Sequence, residues 1–484
     1  MTDLQDQVKE RALASSISLE TEMSHVQLHE LLEFLHIHYL LRRPDLFRNI
    51  LRTTIDGEPL LTYTVFGPGE KWFTNVEIRA RKPILISLLP SDGSVPQEAL
   101  RTIKEDLLMA IQFFDENLRM NSLYFAWAEG ARFSPEVLTS KSGKALGRIF
   151  LETMVLFFIL FFIGSIILFS IAPVIAPILL IAAQFIFVIF SDRIVMRLGD
   201  WKVTAENPRV HILRCQLSPE EFKEVSKRYS RSQFMEMKKE IIERTLSIGK
   251  DLDANIAADV LTKYGIRCPQ ENISGKSVDL YGLVKKASEH FMLPVPKIIV
   301  ANTAAPNAAA SGISPNRGTV LATTGLLLRL SDDEILSVLA HEMSHLKSRD
   351  PLILYALTSA EYLLRVYVLL PLFFFIPFFL YFLFTMWLIY FFAKFLEARA
   401  DLEAAIRLGR PQSLASALRK IGFRRLQMER VSQGSRFQAW LGWDAHPPLY
   451  FRISRLESLE SPERIRHPFL QSIKDSLNAF LSSF

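Results

Sequence analysis

The chain has 484 residues, 49% of them hydrophobic, with a formal net charge of +5, which leaves room for roughly two to four domains. So small an excess, with no basic run and no nucleic-acid motif, excludes a nucleic-acid footprint and fits basic residues flanking membrane segments instead. The two cysteines, Cys215 and Cys268, are far apart with no C-x-x-C pair, which excludes a cysteine zinc site, implies no disulfide framework and is compatible with a reducing compartment.

The first twenty residues, MTDLQDQVKERALASSISLE, are polar and lack an apolar segment, so no secretory signal is expected. Residues 1–147 read as an N-terminal cytoplasmic α+β domain of unknown role. Its predicted elements are a helix over 26–41, strands at 60–66, 72–78 and 83–89, and a helix over 97–118. His25 and His29 are four residues apart and His36 and His38 follow, but no carboxylate sits beside His25. They read as histidines used partly for packing rather than as a metal site.

Residues 149–191 carry a single ionisable side chain, Glu152. A span needs about 20 apolar residues, so the segment 148–191 reads as a transmembrane hairpin, with Pro173 and Pro177 marking its turn. A cytoplasmic helical connector follows over 192–274, with helices at 220–229 and 233–248. Then come a helix over 278–291 and short strands at 297–301, 307–312 and 319–324, with a turn at 316–318. Residues 351–393 form a second apolar block that fits two spans, with Pro371 and Pro377 near its middle and Glu361 and Arg365 placed to neutralise each other at i,i+4. Lys141, Lys144 and Arg148 precede the first hairpin and Arg193, Arg197 and Lys202 follow it. Lys347 and Arg349 precede the second, with Lys394 and Arg399 after it. The positive-inside rule then puts the N-terminus, the C-terminus and every soluble segment in the cytoplasm.

The stretch 331–350, SDDEILSVLAHEMSHLKSRD, joins the strands to the second hairpin. Ser331 and Glu334 form a capping-box signature, and apolar residues recur after it at helical spacing. His341 and His345 project from one face, one turn apart. Glu342 stands where its carboxylate reaches a water on a shared metal, the H-E-x-x-H arrangement of zinc-dependent peptidases. A hydrolytic zinc site needs a third protein ligand, expected from a segment folding back after the hairpin. Residues 395–401, FLEARAD, offer Glu397 and Asp401 one turn apart, with Glu403 close by; spacing alone does not choose among them.

At this point the chain resembles the HtpX-like membrane zinc metallopeptidases, relatives of the CAAX prenyl-protein processing proteases. The motifs that carry the resemblance are LPVPKIIV (293–300), PNAAASG (306–312), TTGLL (323–327), VLAHEMSHLKSRD (338–350), EARAD (397–401) and HPPLYFRI (446–453). It covers about residues 275–460, with the core in two halves, 275–350 and 394–484, on either side of the hairpin 351–393. The fold it implies is an α+β zincin-like metallopeptidase core, mostly helical with a small edge-strand sheet, interleaved with the two hairpins. It implies one zinc ion per chain on His341, His345 and Glu397, with Glu342 as catalytic base and Asp401 orienting the ligands. His446 would stabilise the oxyanion, and Arg452 would fix its loop. Asn307, Ala308, Ala309 and Ala310 would form an edge strand that holds an extended peptide by main-chain hydrogen bonds. His467-Pro468 lacks the motif's continuation and reads as structural. The family often has aromatics where this chain has Ala309 and Ala398, a departure that bears on the substrate pocket.

The expected function is a membrane-bound zinc endopeptidase at the cytoplasmic face, clearing damaged or misassembled membrane proteins. Its partners would be a peptide or protein substrate and the lipid bilayer, not nucleic acid. Two other readings stay open: a processing protease trimming prenylated or other C-terminal peptides, and a non-catalytic scaffold.

Overall fold

The structure, a computed structural model, describes residues 16–19, 21, 23–55, 57–91, 95–130, 154–371, 377–430, 433–442 and 444–483. Lys141, Lys144, Arg148 and Glu152 lie outside the described residues. The chain forms two compact units, one of residues 1–124 and 214–274, the other of residues 125–213 and 275–484. The first unit thus stops short of residue 147 and takes in most of the connector.

In the first unit, strands β1 (Ser16–Leu19), β2 (Phe47–Ile55), β3 (Glu58–Phe66), β4 (Phe73–Arg79) and β5 (Ile84–Pro90) form one antiparallel sheet in the order β1-β5-β4-β3-β2. Alternation is clearest on β5, where Ile84, Ile86 and Leu88 are buried and the residues between them are not. Helices α1 (His25–Phe34) and α2 (Gln97–Met120) supply the rest of the core through Leu28, Leu31 and Leu32 and through Ile103, Leu107 and Ile111. β1 and β2 were not anticipated: one is four residues long and the other is a largely exposed edge without alternation. The sequence expectation of unpaired cysteines is corrected, because Cys215 and Cys268 form a disulfide 53 residues apart. Spacing could not show this, since the chain folds back through three helices between them, Pro219–Arg228, Arg231–Arg244 and Ala254–Lys263.

The second unit begins its described part with α3 (Met154–Ile171) and α4 (Ala176–Ile189), an apolar pair that turns at 172–175 beside Pro173. The strands β6 (Trp201–Val203), β7 (Lys297–Ala301), β8 (Ala308–Ser311) and β9 (Thr319–Thr323) make a sheet in the order β8-β9-β7-β6. β7 and β9 run parallel at its centre, and β8 is an antiparallel edge. β6, three residues long, is the strand that the sequence reading lacked.

Helix α5 (Leu280–Phe291) and α6 (Asp332–Ser348) pack together, with Ser288 Oγ 3.6 Å from Met343 Sδ. α6 starts at the expected capping box, Ser331 and Glu334, and Glu334 is tied to Ser416 and Lys420. It ends at Arg349, whose φ of 57° is left-handed.

Helix α7 (Asp350–Leu364) and α8 (Phe378–Leu408) flank the second apolar turn. Two helices among the described residues are long and apolar enough to cross a membrane, Asp350–Leu369 and Phe379–Leu408, and Ala176–Ile189 is a shorter apolar helix. Val174, Ile171, Phe379 and Phe384 on these elements are exposed apolar side chains, a surface suited to lipid rather than water. The hairpins touch: Tyr355 Oη donates to Ile181 O at 2.8 Å, and its ring stacks on Phe185. Glu361 and Arg365 pair at 3.0 Å, and Tyr381 Oη on α8 donates to Glu361 as well.

Beyond its apolar part, α8 continues without a break through Glu397 and Asp401, and is followed by α9 (Pro411–Ile421), α10 (Phe423–Arg430), α11 (Leu449–Glu457) and α12 (Pro468–Leu481). Ala398 is fully buried in a cluster with Phe391 of the same helix, Trp440 and Phe451, so aromatics already surround this position.

Candidate active site

Three elements converge on one point. α6 presents His341, Glu342 and His345; α8, packed along it, presents Glu397; and the edge strand β8 runs beside Glu342. The two histidine Nε2 atoms are 3.1 Å apart. Glu397 reaches both, with Oε2 3.4 Å from His341 and Oε1 3.4 Å from His345. One donor atom from each of the three residues lies within 4.8 Å of the others, and among the described residues no other His, Cys, Asp or Glu group converges in this way. His25, His29, His36 and His38 make no such group; His38 instead packs its ring 5.1 Å from Phe34.

Each imidazole is backed by a carboxylate on its far side. His341 Nδ1 is 2.9 Å from Asp401 Oδ1, an ion-pair distance reached off the ideal hydrogen-bond line. Asp401 accepts two further bonds from Arg452 on α11, both 2.7 Å. His345 Nδ1 is 2.6 Å from Asp350 Oδ2, and Arg399 Nη2 donates to that same oxygen at 2.6 Å. Sequence reasoning named Asp401 and Arg452 but missed Asp350 and Arg399. Asp350 ends the SRD of the zinc-helix motif, but it follows the left-handed turn at Arg349, where helical periodicity no longer says which residues meet.

Glu342 Oε2 accepts the backbone N–H of Ala310 at 2.7 Å, so this carboxylate lies against the edge strand. Asn307 precedes that strand and is locked to the end of β9: its N–H donates to Thr323 Oγ1 at 2.9 Å, and its carbonyl accepts from Thr323 N–H at 3.0 Å. Ala308 and Ala309 pair with Ala322 and Leu321.

His446 stands on the open side, half-exposed, with Nε2 3.6 Å from Glu397 Oε2. Its own N–H and Nδ1 both meet Asp444 Oδ1, at 2.9 and 3.0 Å. Arg425 holds the loop through Asp444 and through the carbonyl of Pro447 at 3.1 Å. Buried Glu429 accepts the N–H groups of Leu449 and Tyr450, both at 3.0 Å, and so caps α11. Arg425, Glu429 and Asp444 had no motif to mark them. The Arg452 guanidinium bonds Asp401 and its backbone N–H bonds the Pro448 carbonyl, while Arg425 and Glu429 supply the side-chain bonds to the loop and the start of α11.

The electrostatics favour a cation. Burial disfavours the charged imidazolium, yet Asp401 and Glu397 outweigh it and lift His341 from 6.5 to about 10. Burial likewise opposes the charge on Arg452, and Asp401 more than restores it. At Asp444, burial is outweighed by the bonds from His446, and its carboxyl is held well below the usual range. A carboxylate only accepts hydrogen bonds, so each Nδ1 facing one is a donor and each Nε2 is the atom left for a metal, which on His341 must first displace a proton. Glu397 Oε2 is buried and has no hydrogen-bond partner. Two imidazole nitrogens and a carboxylate converging on one point fit zinc, with a fourth position left for water.

Residues 276–460 match the model of peptidase family M48. A protease HtpX homolog of Moorella thermoacetica is 30% identical over 218 residues, which are 38% of this chain and 72% of that protein. Protease HtpX homolog 2 of Methanosarcina mazei is 33% identical over 162 residues, 29% of this chain and 54% of that protein. The homolog of Desulfatibacillum aliphaticivorans is 43% identical over 79 residues, 16% of this chain and 26% of that protein. This chain therefore spans about a quarter to a half of the length of the last two. A crystal structure of S. mikatae Ste24p is 20% identical, covering 36% of this chain and 49% of that one at a TM-score of 0.28, too slight a likeness to bear on the site.

Proposed function

The chain belongs to peptidase family M48, and on that premise we propose that it is a membrane-bound zinc-dependent endopeptidase. It hydrolyses peptide bonds at the cytoplasmic face of the cell membrane and serves membrane-protein quality control. The observation that carries this reading is the placement of Glu342 between the His341, His345 and Glu397 donor cluster and the β8 edge.

His341, His345 and Glu397 would hold the zinc, which when bound supplies an acidified water and polarises the scissile carbonyl. A substrate segment adds to β8 as a further strand, its main chain bonding to residues 307–311. That addition competes for the Ala310 N–H and frees Glu342, which takes a proton from the attacking water and returns it to the departing amine. His446, oriented by Asp444 through Nδ1, turns its Nε2 toward the oxyanion as it develops. Four spans across two hairpins, with both termini inside, complete the proposed topology.

The test is to purify wild type and Glu342→Gln in detergent, measure bound zinc, and incubate each with an unfolded protein. Both are expected to hold about one zinc per chain, and only wild type to cleave, with a chelator abolishing cleavage. Equal cleavage by the variant, or no zinc in either, sinks the reading. Protease digestion of right-side-out and inverted membrane vesicles tests orientation: the His446 loop should be cut only in inverted ones.

A further inference from the structure

The carboxylate behind His345 has a place in the chain unlike its counterpart behind His341. Asp401 and Arg452 come from the last third of α8 and from α11. Asp350 is the first residue of α7, where the chain enters the second apolar hairpin, and Arg399 lies on α8, where the chain leaves it. Both are nearly inaccessible, with side chains 5% and 7% exposed. Asp350 Oδ2 is shared by His345 Nδ1 and Arg399 Nη2, each at 2.6 Å. Arg399 also comes within 3.9 Å of Glu403, whose other oxygen accepts from Ser344 on α6. The chain reaches this arrangement through Arg349 at a φ of 57°, a left-handed conformation that a residue with a Cβ adopts only at some cost.

We propose that Asp350 and Arg399 are positioning residues that fix the His345 imidazole for metal binding and fasten it to both ends of the hairpin. This rests on the zinc-peptidase reading. Asp350 sets which nitrogen of His345 bears the proton and where the ring points, and Arg399 sets where Asp350 sits. A hairpin helix that shifts along its axis carries Asp350 or Arg399 with it, so the metal ligand is referenced to the membrane segment on both sides. If the pair only closed the hairpin, losing it would lower stability and leave metal affinity alone.

The two cases separate when zinc affinity is measured directly. The full chain carrying Glu342→Gln, which suppresses self-cleavage, is titrated with Zn²⁺ against a chromophoric chelator. Cobalt absorption spectra and thermal midpoints are recorded alongside. Asp350→Asn is expected to weaken zinc binding about 10- to 100-fold, as Asp401→Asn should, and to alter the cobalt spectrum. Arg399→Gln should weaken it less, and Arg399→Lys should recover part of that loss. If Asp350→Asn does not fold, the Arg399 series decides, and an affinity falling in the order Arg, Lys, Gln supports the proposal. Zinc affinity within about two-fold of the parent in Asp350→Asn and Arg399→Gln, whatever their melting, overturns it while leaving the peptidase reading intact. A parent chain that binds no zinc overturns both.

Discussion

Replacing Arg452 by Met removes one partner of an ion pair whose side chains are 7% and 2% exposed. Asp401 then loses both 2.7 Å bonds and keeps only His341 Nδ1 at 2.9 Å. Stranding a buried carboxylate in this way costs about 3–5 kcal/mol. At roughly 2 °C per kcal/mol for a unit of this size, the thermal midpoint of the metal-free chain should fall by about 6–10 °C. The double variant Asp401→Leu/Arg452→Met removes both charges and should melt within about 3 °C of the parent, since apolar replacement of a whole buried pair is close to neutral. Its zinc affinity should nonetheless stay about 10- to 100-fold down, because His341 has lost its acceptor. Melting followed by tryptophan fluorescence in detergent, with chelator competition beside it, reads both quantities. A single variant that melts within about 2 °C of the parent, or a double variant with restored zinc affinity, refutes the assignment of separate structural and metal-orienting work to this pair.

The raised pKa of His341, about 10 against 6.5, makes zinc uptake expel a proton. Calorimetry at about pH 8 in buffers of different ionisation enthalpy should show close to one proton released per zinc, and heats independent of buffer would contradict this. The same shift stabilises the metal-free fold fully below pH 6.5, and that contribution is lost as pH rises through about 10; the metal-free midpoint should fall over that window and the zinc-loaded one should not. A Cβ at Gly325 would sit 2.2 Å from Ala304 O, a backbone atom of the segment leading into β8. Gly325→Ala should therefore cost about 1–3 kcal/mol and raise KM through the displaced strand, and an unchanged KM would count against the edge-strand role. Glu429→Gln leaves one of three donors to that carboxylate unmatched, at about 1–3 kcal/mol. Hydrogen exchange at Leu449 and Tyr450 should speed up, and protection equal to the parent would mean that Glu429 does not cap α11.

What could be read in the chain beforehand follows physical range. The capping box at Ser331, the i,i+4 histidines and the strand–turn–strand pattern before them are set by neighbours within a few residues, so periodicity finds them. The apolar helices were legible because a bilayer core demands long uncharged runs. By spacing alone Glu397 is one of three carboxylates, and only the resemblance singles it out; α8 turns it toward α6 while Glu403 bonds Ser344. Arg399 and Glu429 join the site by packing between elements remote in sequence, while Asp350 and Asp444 lie within five residues of the histidines they hold but across non-helical backbone, where periodicity does not distinguish them from solvated charges. The disulfide between Cys215 and Cys268 is the same case in the other unit.

A single unbroken helix links the membrane segment to the metal cluster. α8 runs 31 residues, roughly 46 Å at 1.5 Å per residue, apolar at its start and carrying Glu397, Arg399, Asp401 and Glu403 toward its end. Because a helix resists twisting between its ends, its seating among α7, α12 and the aromatic cluster around Phe391 and Trp440 also fixes the azimuth at which Glu397 meets His341 and His345. The H-E-x-x-H pentapeptide places His341, Glu342 and His345 on one helix turn, but Glu397 arrives with a direction set by side chains in the apolar segment. Substitutions there that rotate α8 without touching the site should loosen zinc, and those on its outward face, such as Phe384→Leu, should not; matched chelator competition on the two classes separates a rigid link from a mere tether.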